Sequence, residues 1–202
     1  MSREDSDGIS LQALRAGDRA EFARLVEAHS PLIYRLGLKM LGNPQDAEDV
    51  LQETFIKAFR HLDEFNGRAK ISTWLYRIAT NEALMLLRRK RPDMVSVEEP
   101  KPAEEEVQEP LQIVDWCCLP EEDFMTSEAR SYLDGAIETL PSSLKIVFLL
   151  RDIEGLSTRE TAEILNISEP AVKTRLSRAR LRLREELSTY FGELMEGKSD
   201  GK

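Results

Sequence analysis

The chain has little of what catalysis and metal binding require. Its 202 residues hold two histidines, His29 and His61, and two cysteines, Cys117 and Cys118. The histidines fall in separate helical patterns, and no Asp or Glu joins them at metal-ligand spacing. The cysteines are neighbours, which excludes a disulfide framework, and no histidine stands near enough to complete a zinc site. They read as small buried or interfacial residues. Glycine-rich phosphate loops and nucleophile motifs are also missing, so an enzyme is the weakest functional class, and no cofactor or metal is expected. Aromatic residues make up only 6% of the chain, which suits helical units with modest cores. No apolar run reaches the roughly 20 residues of a membrane span, and the N-terminus lacks the apolar stretch of a signal peptide. The expected place is therefore the cytosol, without direct membrane insertion.

What is present in excess is negative charge, and its distribution matters more than its sum. The formal net charge is -9, yet residues 1–91 carry 15 basic and 13 acidic side chains, and residues 127–202 carry 12 and 13. Residues 92–126 hold 11 acidic and one basic side chain. The acidity thus sits in the middle, and the flanks remain free to meet nucleic acid locally. The stretch from Pro92 to about Leu119 is rich in Pro, Glu and Val without periodicity, and reads as a flexible acidic linker. Leu111, Ile113, Val114 and Trp116 form an apolar cluster near its end, expected to dock somewhere.

The strongest local pattern lies near the C-terminus. Ser157 can cap a helix, with Glu160 three residues on completing a capping box. Asn166 stands where a turn needs a left-handed residue, Ser168 caps a second helix, and Pro170 occupies its first turn. Val172, Leu176, Ala179, Leu183 and Leu187 then form one apolar stripe. Lys173, Thr174, Ser177 and Arg178 lie opposite, flanked by Arg175, Arg180, Arg182 and Arg184. This is the spacing of a DNA-binding helix-turn-helix, in which side chains of the second helix reach base edges and phosphates.

The N-terminal part reads as four helices. Residues 9–41 hold two, the second capped by Asp18 and with Pro31 as a possible bend. A third, about 44–62, turns Ala47, Val50, Leu51, Thr54, Phe55 and Ala58 inward. Its outer face would show Asp46, Asp49, Gln52, Glu53, Ile56, Lys57 and Arg60, acidic around one apolar residue, as suits docking onto a basic helix of another protein. After a loop at 63–70, the fourth helix spans about 71–91. Ile71, Trp74, Leu75, Ile78, Glu82 and Met85 are expected on one side, and Thr73, Tyr76, Arg77, Thr80, Leu84, Leu87 and Arg88 on the other. Arg88-Arg89-Lys90-Arg91 exceeds what a helix C-terminus needs and would attract a phosphate backbone. Beyond the linker, helices are expected over about 120–140 and 142–153, with Gly155 stopping the latter.

Three stretches in this order carry a family resemblance. They are Asp46-Ala47-Glu48-Asp49-Val50-Leu51-Gln52-Glu53-Thr54-Phe55-Ile56-Lys57-Ala58, then Ser72-Thr73-Trp74-Leu75-Tyr76-Arg77-Ile78-Ala79-Thr80-Asn81, and Leu140-Pro141 through Arg180. Over about residues 10–190 the chain resembles the extracytoplasmic-function (ECF) group of bacterial RNA polymerase sigma factors. The resemblance implies an all-α fold of two small domains, sigma region 2 at 9–91 and region 4 at 120–191. They would be joined by the linker at 92–119, with 192–202 as a tail. It implies that Asp46, Asp49, Gln52, Glu53, Ile56 and Lys57 bind the clamp helices of the polymerase β′ subunit, and that the β flap touches region 4. The promoter −10 element would be opened and held by Phe65, Asn66, Arg68, Lys70, Trp74, Arg77, Thr80, Asn81 and Arg88, with a flipped base near Phe65 and Asn81. The −35 element would be read by Ser168, Pro170, Ala171, Lys173, Thr174, Arg175, Ser177 and Arg178. An anti-sigma factor is the expected regulatory partner. Trp116-Cys117-Cys118 fits none of these motifs, and the acidic linker is expected to compete with DNA for the basic helix of region 4. The main alternative is a stand-alone helix-turn-helix regulator, which would bind its operator without polymerase.

Overall fold

The computed structural model describes residues 8–65, 67, 69–90 and 127–199, with side chains of the last segment described over 131–188. The linker, its apolar cluster, both cysteines and the helix start at Pro120 lie outside the described residues. Eight α-helices and no strand occur among those described: α1 Leu11–Arg15, α2 Arg19–Leu41, α3 Pro44–Arg60, α4 Ile71–Lys90, α5 Ser127–Thr139, α6 Ser142–Phe148, α7 Thr158–Leu165 and α8 Glu169–Ser199. The two halves are α1–α4 and α5–α8.

Local chemistry sets most boundaries as expected. Asp18 Oδ1 accepts from the amides of Ala20 and Glu21 at the start of α2, which runs through Pro31 and stops at Gly42 with φ 68°. Asn43 caps α3 in the same way, through the amides of Gln45 and Asp46. In the C-terminal half, Ser157 and Glu160 close the capping box, and Asn166 ends α7 at φ 53°. Ser168 Oγ accepts from the amide of Ala171 to start α8. The helix expected over 142–153 is not uniform. From Leu149 to Ile153 it widens into a π-turn before Gly155, with the amide of Glu154 donating to the carbonyl of Leu149. Such one-turn insertions shift the direction of the side chains that follow.

The two halves pack on each other and share one apolar core. The cluster runs from Leu25, Leu36 and Leu75 in the first half to Leu144, Ile164, Val172 and Leu183 in the second. Four helices contribute to the junction: α2 meets α6, and α4 meets α7. A cavity of about 100 Å³ lies along it, between Met40, Leu41 and Leu87 on one side and Leu140 and Lys145 on the other. Both sides of α4 take part in packing. Thr73, Tyr76 and Thr80, expected on the side opposite Ile71 and Leu75, are all buried, Thr80 at 1% exposure. The second half reaches this side of α4, where Tyr76 meets Glu154.

Candidate nucleic-acid interface

Three surfaces carry the residues singled out from the sequence. The first is the outer side of α3. Asp49, Gln52 and Ile56 are exposed, and Glu53 and Lys57 are half-buried. Lys57 Nζ donates to Glu82 Oε1 at 2.6 Å and lies 3.6 Å from Glu53, and the hydrogen bond to Glu82 raises the lysine pKa. Asp46 departs from expectation. It is 7% exposed, and its carboxylate accepts from Lys90 Nζ at 2.5 Å. Its position in the first turn of α3 turns it toward the end of α4, so it braces the two helices and does not face a partner. Between α3 and α4 runs an open groove of about 420 Å³, with Asp49, Gln52 and Ile56 on one wall and Met85 and Arg89 on the other.

Met85, Arg89 and Phe59 are residues that the sequence pattern did not assign to this surface. Met85, expected on the same side of α4 as Ile71 and Leu75, is 39% exposed, and Phe59, at 54%, extends the apolar strip beyond Ile56. Phe59 lies edge-on to Phe22, with ring centroids 5.1 Å apart. The available signal was spacing: Phe59 follows Ile56 by three residues, one helical turn along the same face.

The second surface is the loop before α4 and the helix itself. At about 100° per residue, Arg77, Asn81 and Arg88 fall within a sector of roughly 40°. All three are exposed. The neighbouring sector holds Thr73, Tyr76 and Thr80 and is the one closed by the second half. The Tyr76 hydroxyl donates to Glu154 Oε2 at 2.8 Å, and burial first, then this bond, pushes its ionisation well up. Lys70 is exposed but paired, with Nζ 2.9 Å from Glu160 Oε1. Phe65 is buried, its ring 5.1 Å from that of half-buried Trp74, and its carbonyl accepts from the Arg15 guanidinium. Phe65, expected beside a flipped base, thus packs against Trp74. Asn66 and Arg68 lie outside the described residues.

The third surface is α8. Val172, Leu176, Ala179, Leu183 and Leu187 are all buried, as their spacing predicts. On the opposite side Ser168, Pro170, Lys173, Ser177 and Arg178 are exposed, while Ala171, Thr174 and Arg175 are half-buried. Arg180, expected only as a flanking cation, has a separate task. Its guanidinium holds Asp152 of the π-turn in two bonds of 2.9 and 2.7 Å, which raises its pKa. A bidentate arginine–carboxylate pair fixes orientation as well as distance. It ties the helix-turn-helix to the element that presents Glu154.

Among the described residues, no group of three or more His, Cys, Asp or Glu side chains is placed to hold a metal ion. No described helix is long and apolar enough to cross a membrane.

The chain matches two family models: sigma-70 region 2 over residues 25–92 and sigma-70, region 4 over residues 130–183. It is 38% identical over 177 residues to the ECF RNA polymerase sigma factor SigW of Bacillus subtilis, covering 88% of this chain and 94% of that protein. It is 32% identical over 182 residues to the ECF RNA polymerase sigma-E factor of Haemophilus influenzae, covering 89% and 94%. Two solved structures share the fold. CnrH in complex with the cytosolic domain of CnrY superposes with a TM-score of 0.64 at 23% identity, over 89% of this chain and 95% of that one. The sigma factor RpoE in complex with the anti-sigma factor NepR from Bartonella quintana gives 0.60 at 22%, over 83% and 97%.

Proposed function

We propose a division of labour for this chain, which belongs to the ECF RNA polymerase sigma factors: α3 docks on core polymerase, α4 handles the −10 element, and α8 reads the −35 element. The protein acts as a dissociable initiation factor and not as an enzyme. It gives core polymerase its promoter and helps open the −10 DNA. The observation that carries this reading is the presence, on one chain, of the α3–α4 groove and the exposed polar face of a doubly capped helix-turn-helix.

Each assignment rests on the chemistry of its surface. The groove combines Asp49 and Glu53 with the apolar Ile56 and Met85, which suits a basic amphipathic helix such as a β′ clamp helix. Arg77, Asn81 and Arg88 form a polar, basic stripe able to follow one DNA strand, with Lys70 at its end. Lys173, Thr174, Ser177 and Arg178 offer donors to the major groove, and Ser168 with Pro170 and Ala171 brings the helix start near phosphate. Residues 9–91 act as region 2 and 120–191 as region 4. The chain works in the cytoplasm, and an anti-sigma factor that covers the α3 face and region 4 holds it inactive; the β flap is the polymerase contact of region 4.

The test is transcription in vitro with core polymerase and the purified chain on a promoter library. Start sites that require the chain are expected, downstream of a shared pair of elements. A chain that shifts duplex DNA alone, and never directs initiation, would be a stand-alone regulator instead.

A further inference from the structure

The shortest helix belongs to none of the three surfaces. α1 has five residues, too few to persist by itself in water, so its neighbours hold it in place. Ser10 Oγ caps it by accepting from the amide of Ala13, and the Ser10 amide donates to Glu21 Oε1 of α2 at 2.6 Å. Glu21 is 8% exposed and also accepts from Arg24 Nη1 at 2.9 Å, while Arg24 Nη2 reaches the carbonyl of Gly8. Ile9, before the cap, and Leu14 are each 1% exposed and anchor the segment in the core. α1 is thus fixed on α2.

Its other side meets the loop before α4. Leu11 and Arg15, four residues apart, share one helix face. The Arg15 guanidinium donates to the carbonyl of Phe65, 50 residues on. Gly67 has a φ of 70°, and a Cβ there would stand 3.6 Å from Leu11 Cδ1 and 3.8 Å from Arg15 Nη2. One turn of α1 therefore holds the main chain of the loop at two positions, by a hydrogen bond at Phe65 and by packing at Gly67. Phe65 in turn lies ring to ring with Trp74 of α4 at 5.1 Å. Phe65 and Trp74 are among the residues assigned to the −10 element, so α1 grips the backbone that leads to them.

We propose that Arg15, with Leu11 beside it, is a positioning residue for −10 recognition: by holding the loop at Phe65 and Gly67, it sets the shape of the loop before DNA arrives. A loop already in shape fits one base and excludes others, whereas a loose loop adapts to several. Arg15 acts through the loop and reads no base itself. This role rests on the function proposed above and names what sets its −10 selectivity.

The test uses holoenzyme assembled from core polymerase and the full chain, on a promoter that the wild type uses in vitro. Two template libraries are made, one randomised at the −10 element and one at the −35 element, and the transcripts are sequenced. In the −10 library, Arg15→Ala should lower the preference for the best base about fivefold at one or two positions, near the worth of one hydrogen bond. Leu11→Ala should lower it at the same positions. Arg15→Lys, which can still donate to the carbonyl, should recover most of the preference. Preferences in the −35 library should not move. A direct phosphate contact by the exposed Arg15 predicts a different pattern: weaker transcription from every sequence, a salt slope smaller by about one, and a silent Leu11→Ala. That pattern overturns the proposal, as do unchanged −10 preferences in both variants or equal losses in the two libraries. Should Leu11→Ala fail to fold, Arg15→Ala and its lysine counterpart carry the test. If the wild type initiates and the −10 preferences hold, this role alone falls; if the wild type does not initiate, the sigma-factor reading falls with it.

Discussion

The two helices proposed to meet DNA differ in how much of their surface the fold covers. On α8 the face bearing Lys173, Ser177 and Arg178 is open, whereas the side of α4 bearing Thr73, Tyr76 and Thr80 is packed beneath α7. The difference arises because the helix-turn-helix turns its first helix, not its reading helix, toward the other half. Of the α4 residues proposed to handle the strand, Thr80 is therefore hidden while Arg77, Asn81 and Arg88 stay exposed. The α3 groove is open as well.

The largest effect that breaks the comparison is loss of the α8 core. Leu183 is 1% exposed within the shared cluster. Leu183→Ala should cost about 3 kcal/mol of unfolding free energy in a urea titration. Because the core is continuous, −35 binding and the Lys70–Glu160 contact, read as a carbodiimide cross-link by mass spectrometry, should fail together; independent loss would mean the halves do not stabilise each other. Next comes Ile56→Asp, which should weaken core-polymerase binding by about 2 kcal/mol, the range of an interface hot spot. Its melting temperature should stay within a degree or two of wild type, since the residue is 43% exposed.

Arg178→Ala sharpens the contrast between the two DNA surfaces. Duplex −35 binding should fall by about 1 to 2 kcal/mol, measured by anisotropy, with single-strand affinity unchanged.

The smallest effect is a pH dependence. The Ser157 backbone amide, then Lys70 and the Ser157 hydroxyl, lower the Glu160 pKa from 4.5 to about 2. A carboxylate depressed in the folded state stabilises above its unfolded pKa, and that contribution fades as pH falls through its folded pKa. The gap in melting temperature between wild type and Glu160→Gln should therefore be full near pH 6, shrink below about pH 4.5 and be nearly gone near pH 2. A gap that persists at pH 2 would assign the effect to packing.

What could be read from the sequence was what neighbours along the chain determine. The Ser157–Glu160 box, the left-handed Asn166, the Asp18 cap and the stripe from Val172 to Leu187 all depend on residues within a few turns. Residues whose surroundings the local pattern does not decide depend on distant partners. Asp46 faces inward because Lys90 lies across from it, and Tyr76 and Thr80 are buried because α7 comes from the other half. Met85 is open because α3 and α4 diverge around a groove. The same limit applies to Glu154, an acidic residue before a glycine with no local mark; only its meeting with Arg35 and Tyr76 gives it a role.

The most direct test is a distance across the seam in the working state. Probes at Glu48→Cys and Glu163→Cys, with Cys117 and Cys118 replaced by serine, report the separation of α3 from α7. Pulsed electron resonance should give one short, narrow distribution for the free chain and a much longer one once core polymerase is added. A distribution that is already long in the free chain, or that stays short in an initiation-competent complex, would contradict two halves that pack on each other when free and are set apart on polymerase.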